Sequence, residues 1–102
     1  MRRVVITGIG ALTPIGNNVN DFWEAAKAGK SGAAPITRFD ASLFKTKFGC
    51  ELKDFDALDF IKKADARKYD RYTQYALIAV EEAVKNAGIN FDDLNKNRIG
   101  VI

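Results

Sequence analysis

The chain has 102 residues, 47% hydrophobic and 28% charged, which suits at most one globular domain and excludes a disordered tail. A net charge of +3 is too small to mark a nucleic-acid binder by itself. One cysteine, Cys50, and no histidine leave neither an internal disulfide nor a His/Cys metal site.

The chain opens on Arg3–Asn17. Val4, Val5 and Ile6 form an apolar β-branched run without period-two alternation. This predicts a strand covered on both faces, as at the centre of a parallel sheet. The run is too short for a signal peptide or a membrane span, and Gly8 and Gly10 interrupt it, so an intracellular protein is expected. A strand feeding a glycine-rich turn raises a phosphate-loop reading. G-x-G-x-x-G would need glycine at position 13, where Thr13 stands. Pro14 and Gly16 also delay any helix that could face a pyrophosphate, and no acid follows at ribose-binding distance. The glycines are better read as sites of tight turning and close backbone packing.

A first helix is predicted over about Asp21–Ala28, with Asn20 as N-cap and Gly29 at C′. Val19, Phe22, Trp23 and Ala26 make one apolar stripe, with Trp23 as its core anchor. From Lys30 to Asp59 the helical period is lost. Ser31-Gly32 and Pro35 mark turns, and the segment is read as irregular structure pinned by phenylalanines, with one short strand in Lys47–Lys53.

A short helix is expected over Ala64–Tyr69, then a long one over Arg71–Ala87 that stops at Gly88. The long helix is apolar around most of its circumference. Its alanines, among them Ala76, Ala79, Ala83 and Ala87, imply close approach to another element. Glu81 and Lys85 are spaced to pair. Asp92 and Asp93 signal one further helical turn, and Arg98–Ile102 reads as a second strand. Two strands flanking a buried helix form a right-handed parallel crossover, an α/β arrangement. Such a set cannot bury its own apolar faces. A piece of a larger domain is therefore expected, the rival being a small protein completed by a partner chain.

Few residues offer chemistry. Cys50 lies beside Glu51, which opposes thiolate formation, and is read as a semi-buried inert thiol. Adjacent carboxylates, Glu81/Glu82 and Asp92/Asp93, do not face each other on a helix and are not read as acid–base sets. The informative feature is charge. Between Ile61 and Arg71, five bases stand against two acids, so this segment carries the whole excess. On one continuous helix Lys63, Arg67 and Arg71 would share a face, with Lys68 beside it. That face suits an acidic partner, and the plain alternative is a solvated helix surface.

Two stretches carry a family resemblance. VVITGIGALTPIGN, followed by a short Trp-containing helix and GKSG, resembles the start of the β-ketoacyl–acyl carrier protein synthases. The segment D-F-I-x-x-x-x-x-R-K-Y-D-R-Y-x-Q-Y-A at Asp59–Ala76 is similar to the loop and central helix of the type II enzymes. The resemblance implies the amino-terminal part of a thiolase-like layered αβαβα fold, with a mixed or parallel sheet and a buried central helix, residues 1–102 being a partial ketosynthase domain. It implies a cytoplasmic homodimer in fatty-acid synthesis, with no cofactor, no metal and no membrane or nucleic-acid partner. It also implies a docking patch for acyl carrier protein at Lys63, Arg67 and Lys68. A further lysine common in that patch aligns with Ala64 here. The family condenses acyl groups through a cysteine and two histidines in motifs this chain does not contain. No residue here is therefore assigned a catalytic role, and the chain alone is expected to be inactive. A non-enzymatic carrier-binding module and a chain-length-factor-like paralogue stay open as alternatives.

Overall fold

The computed structural model describes residues 1–102. In chain order its elements are α1 (Val19–Lys27), β1 (Ala34–Pro35), β2 (Phe48–Gly49), α2 (Lys63–Ala66) and α3 (Arg71–Ala87). Single 3-10 turns stand at Ala57–Asp59, Phe91–Asp93 and Lys96–Arg98.

α3 spans the predicted residues and ends where its sequence says it must. Gly88 takes φ 64°, ψ 28°, a left-handed conformation that only glycine adopts without steric cost, and its N–H closes onto the last turn. The alanine stripe does what its spacing implied. Gly8 and Gly10 lie directly on α3, so close that a Cβ at either would overlap the carbonyl oxygen of Ala83 or Ala79. Small residues on both sides thus bring the amino-terminal segment against the helix backbone. Two side chains of α3 fasten it there. The Ile9 N–H donates to Asn86 Oδ1 at 3.2 Å, and the Ala11 N–H to Glu82 Oε2 at 2.9 Å. The other oxygen of Glu82 accepts the Val19 N–H at 2.9 Å, at the first turn of α1.

α1 begins earlier than predicted. Asn18 rather than Asn20 is its N-cap, extended at φ −156°, ψ 170°, with its side chain accepting the Asp21 N–H at 2.9 Å. Its buried residue is Ala25, and Trp23, predicted as a core anchor, is 58% exposed. Glu82 fixes the start of α1 to α3 and leaves the tryptophan outside the contact.

Between α1 and α2 the chain forms one antiparallel pair, Ala34 opposite Gly49 and Pro35 opposite Phe48. The short strand expected in Lys47–Lys53 is thus present at Phe48–Gly49. Polar ties then hold the region. Lys53 Nζ donates to the carbonyls of Pro14 at 3.1 Å and Gly32 at 2.7 Å, while Asn17 Nδ2 donates to the Lys53 and Asp54 carbonyls. These bonds gather the Thr13–Gly16 turn and the backbone at Gly32 around one lysine. Aromatic packing adds to them. Phe55 meets Tyr75 of α3 edge-on at 5.4 Å between centroids and stacks on Phe60 at 5.9 Å.

The predicted crossover does not form within this chain. Neither Val4–Ile6 nor Arg98–Ile102 is a strand, and Val4 and Val101 are 95% and 100% exposed. A strand needs a neighbour to take up its N–H and C=O groups, and no strand pairs with either one. α3 is likewise less buried than expected, with Ile78 its one buried residue and Leu77 and Val80 exposed. The Cα radius of gyration is 17.1 Å, against about 13 Å for a compact chain of this length.

Candidate functional site

The basic segment lies at the start of the helical half. Lys63 is the first residue of α2, and Arg67 follows its last residue, still helical at φ −75°, ψ −20°. Lys68 comes next, in the turn. All three side chains are exposed. Lys68 Nζ stands 3.4 Å from Asp65 Oδ1, a solvated pair of little energetic weight. Lys63 and Arg67 pair with no carboxylate. Their charges are therefore available to an incoming anion.

The single face joining Lys63, Arg67 and Arg71 is not formed. α2 stops at Ala66, four residues short of Arg71, which opens α3. Asp70, between them, is extended at φ −62°, ψ 156° and breaks the helical path. Arg71 instead lines a cleft with Arg38, Phe55 and Tyr75, where Arg38 Nη2 donates to the Tyr75 hydroxyl at 2.8 Å. The structure thus keeps Lys63, Arg67 and Lys68 on α2 and its turn, and separates Arg71.

What fixes that turn is a residue that sequence reasoning passed over. Gln74, one turn into α3, donates through Nε2 to the Ala66 carbonyl at 2.8 Å and to the Tyr69 carbonyl at 2.9 Å. Ala66 immediately precedes Arg67, and Tyr69 immediately follows Lys68. The signal was present as the glutamine of D-R-Y-x-Q-Y-A. Nothing in the linear spacing says that its partners are backbone carbonyls on the preceding turn.

The remaining chemistry-bearing residues have structural occupations. Cys50 is exposed rather than semi-buried, because β2 ends at Gly49 and nothing covers the next residue. Its neighbour Glu51 is held by the Thr37 hydroxyl at 2.7 Å, by the Thr37 and Arg38 N–H groups and by the Arg38 guanidinium. The Thr37 hydroxyl bond, with help from these others, draws the Glu51 carboxyl below its ordinary range. Asp40 is lowered too, by the Ser42 N–H at 2.9 Å. Asp92 reaches Lys96 at 3.3 Å while Asp93 accepts from Asn90, a helical-turn role as predicted. Glu81 and Lys85 pair at 2.7 Å on the surface, and Glu82 is the tether already described. No cluster of His, Cys, Asp or Glu is grouped as metal ligands would be. A cleft of about 450 Å³ between α1 and α3 is lined by Asn20, Phe60, Glu81 and Lys85 among others, with no cysteine, serine or threonine.

Known proteins give these features a context. The family model described as "Beta-ketoacyl synthase, N-terminal domain" matches residues 1–102. A 3-oxoacyl-[acyl-carrier-protein] synthase 2 of Synechocystis is 45% identical over 101 residues, 99% of this chain and 24% of the relative. A protein of the same name from Staphylococcus aureus is 49% identical over 100 residues, again 24% of its length. The chain thus spans about a quarter of the curated relatives it matches. Among solved structures, the ishigamide ketosynthase/chain length factor superposes with a TM-score of 0.82 at 41% identity, over 92% of this chain and 23% of that one. A chain of a type II PKS acyl-carrier protein in complex with its ketosynthase gives 0.67 at 30% identity, over 93% of this chain and 25% of that one. The resemblance carried by the two sequence motifs holds, and the chain belongs to the β-ketoacyl synthase family, matching its amino-terminal domain.

Proposed function

We propose that the chain works as the amino-terminal portion of a β-ketoacyl–acyl carrier protein synthase of the second type, residues 1–102 forming part of its ketosynthase domain. Such an enzyme elongates an acyl chain by decarboxylative Claisen condensation. The acyl group waits as a thioester on an enzyme cysteine. Malonyl carried on acyl carrier protein loses carbon dioxide, and the resulting carbanion attacks the thioester carbonyl and expels the cysteine thiolate. The 45–49% identity to synthases of this name, spread over nearly the whole chain, carries the reading.

This chain's own residues do none of the bond making. It has no histidine, and Cys50 lies outside the family's nucleophile motif. Its part is recognition. Lys63 and Arg67 are exposed and unpaired, and Lys68 has only a solvated partner. Together they present positive charge to an acidic carrier protein, which raises the encounter rate and sets register more than it adds affinity. Lysine is absent at position 64, so the docking charge is concentrated on Lys63 and the Arg67-Lys68 pair.

On this reading the enzyme is a cytoplasmic homodimer needing no cofactor, with the layered thiolase-like arrangement and α3 as its central helix. The exposed apolar segments support that arrangement. Val4–Ile6, Leu77 and Val80 are surfaces that further layers would cover. The expanded radius of gyration argues against a self-contained carrier-binding module. A second reading, a chain-length-factor-like paralogue, stands beside it because the structure that superposes at 0.82 is named a ketosynthase/chain length factor. The two part on whether a cysteine stands in the nucleophile motif of the complete protein.

The test is Arg67→Glu with Lys68→Glu in the full-length enzyme. KM for carrier-borne substrates should rise at least tenfold, and the difference from the parent should shrink as salt is added. Unchanged KM at low salt would remove the docking assignment.

A further inference from the structure

From the two Gln74 hydrogen bonds we infer that Gln74 is a positioning residue for carrier recognition, setting the Arg67-Lys68 turn in the geometry that the carrier meets. This role rests on Arg67 and Lys68 being carrier contacts.

Arg67 and Lys68 lie outside any regular element, between the end of α2 and the start of α3. A turn carrying long cationic side chains would be free to shift, because like charges repel and water satisfies its carbonyls. Gln74 closes it at both ends, on the carbonyl before Arg67 and the carbonyl after Lys68. Both partners are acceptors only, so the side chain must present its amide nitrogen and not its oxygen. Two N–H donors meet two carbonyls, which leaves no donor of the amide unused. Gln74 is itself half-buried on α3, the helix that also holds the amino-terminal segment. The basic turn is therefore referenced to the most extended rigid element of the chain. No other side chain in the structure bonds to the backbone of residues 66–70.

The chemistry predicts which replacements fail. Glu at position 74 has the same length and shape but sets carboxylate oxygens against two carbonyl oxygens. Met keeps the volume and offers no donor. Asn keeps the amide but is one methylene short of spanning both carbonyls.

The experiment uses the full-length synthase with Gln74→Met and Gln74→Glu, beside Arg67→Glu. Initial rates are measured against the concentration of acyl carrier protein substrate. Hydrogen exchange of the peptide covering residues 66–71 is followed in parallel. The expected result is a three- to tenfold rise in KM for each Gln74 variant, with kcat changed less than twofold, less than the loss of two hydrogen bonds could cost because the basic side chains themselves remain. Exchange should quicken in residues 66–71 and not in the second half of α3. A matched fall in kcat with no change in KM, or faster exchange throughout α3, would show a general structural role and overturn the positioning role. So would unchanged KM in both variants while Arg67→Glu raises it. Unchanged KM in Arg67→Glu itself would instead bring down the docking reading, and the positioning role with it. Should Gln74→Glu fail to fold, Gln74→Met alone decides between these outcomes.

Discussion

The contact between Gly10 and α3 can be tested by a single methyl group. In Gly10→Ala the new Cβ would overlap the Ala79 carbonyl oxygen, lie 2.7 Å from its carbonyl carbon and 3.0 Å from the Ala83 nitrogen. Ordinary contact begins at 3.4 Å. All three obstacles are helix backbone, which cannot rotate aside as a side chain would. The amino-terminal segment must lift away from the helix instead. Lifting it strains two hydrogen bonds, Ile9 N–H to Asn86 and Ala11 N–H to Glu82. Overpacking costs about 1–3 kcal/mol, and each weakened bond about 0.5–1.5 kcal/mol. The expected loss is therefore about 2–6 kcal/mol in equilibrium denaturation of the full-length protein. Gly49→Ala is the internal control, because a Cβ there meets nothing closer than 3.5 Å and its change should be small. If Gly10→Ala stays within about 0.5 kcal/mol of the parent, the normal spread for surface changes, the close-packing account of the glycines is refuted.

Other consequences can be measured separately. Gly88→Ala places a Cβ in a left-handed position at φ 64° and should cost about 1–2 kcal/mol by denaturant unfolding, although no atom obstructs it. The Glu51 carboxyl should titrate below its ordinary value of 4.5 in a carbon-detected NMR titration, and Thr37→Val should move it back up. Because its folded value is depressed, its contribution is fully present above pH 4.5 and is lost as pH falls through the lowered value. A Glu51 midpoint at or above 4.5 would contradict the Thr37 bond. Cys50 is exposed and should react with a maleimide in the folded protein, which mass spectrometry will show. If the complete protein is the proposed synthase and any catalytic thiol is protected by substrate, that modification should leave condensation intact.

Much of the helical framework was legible because its signals are local. The limits of α3 follow from its alanine spacing and from Gly88, and the turn at Phe91–Asp93 from the two aspartates, its cap Asn90 being seen only in the structure. The glycine pair was legible by elimination, since the phosphate-loop pattern fails at Thr13. The N-cap of α1 was placed at Asn20 and stands at Asn18, where Glu82 holds the next residue, Val19, from 63 residues away. The strands were read correctly as apolar runs and wrongly as paired elements. Strand formation depends on a neighbour, and periodicity cannot report whether one is present. For the candidate site, charge counting marked the basic segment between Ile61 and Arg71, and the family resemblance narrowed it to Lys63, Arg67 and Lys68. It could not see that Asp70 breaks the helix and sends Arg71 elsewhere.

The same helix serves the two halves of this arrangement. At its start, Gln74 holds the basic turn; further along, Glu82 and Asn86 hold the glycine segment and the beginning of α1. These ties run from polar side chains of α3 to backbone groups elsewhere, so they fix the path of the chain rather than the packing of particular side chains. Backbone ties of this kind tolerate wide variation at neighbouring surface positions. They do not tolerate a change in the donor or acceptor character of Gln74, Glu82 or Asn86. A helix with an exposed apolar face can therefore still carry a defined basic turn, because the turn is secured by hydrogen bonds from Gln74 of α3 to the end of α2 and to the connection that follows it.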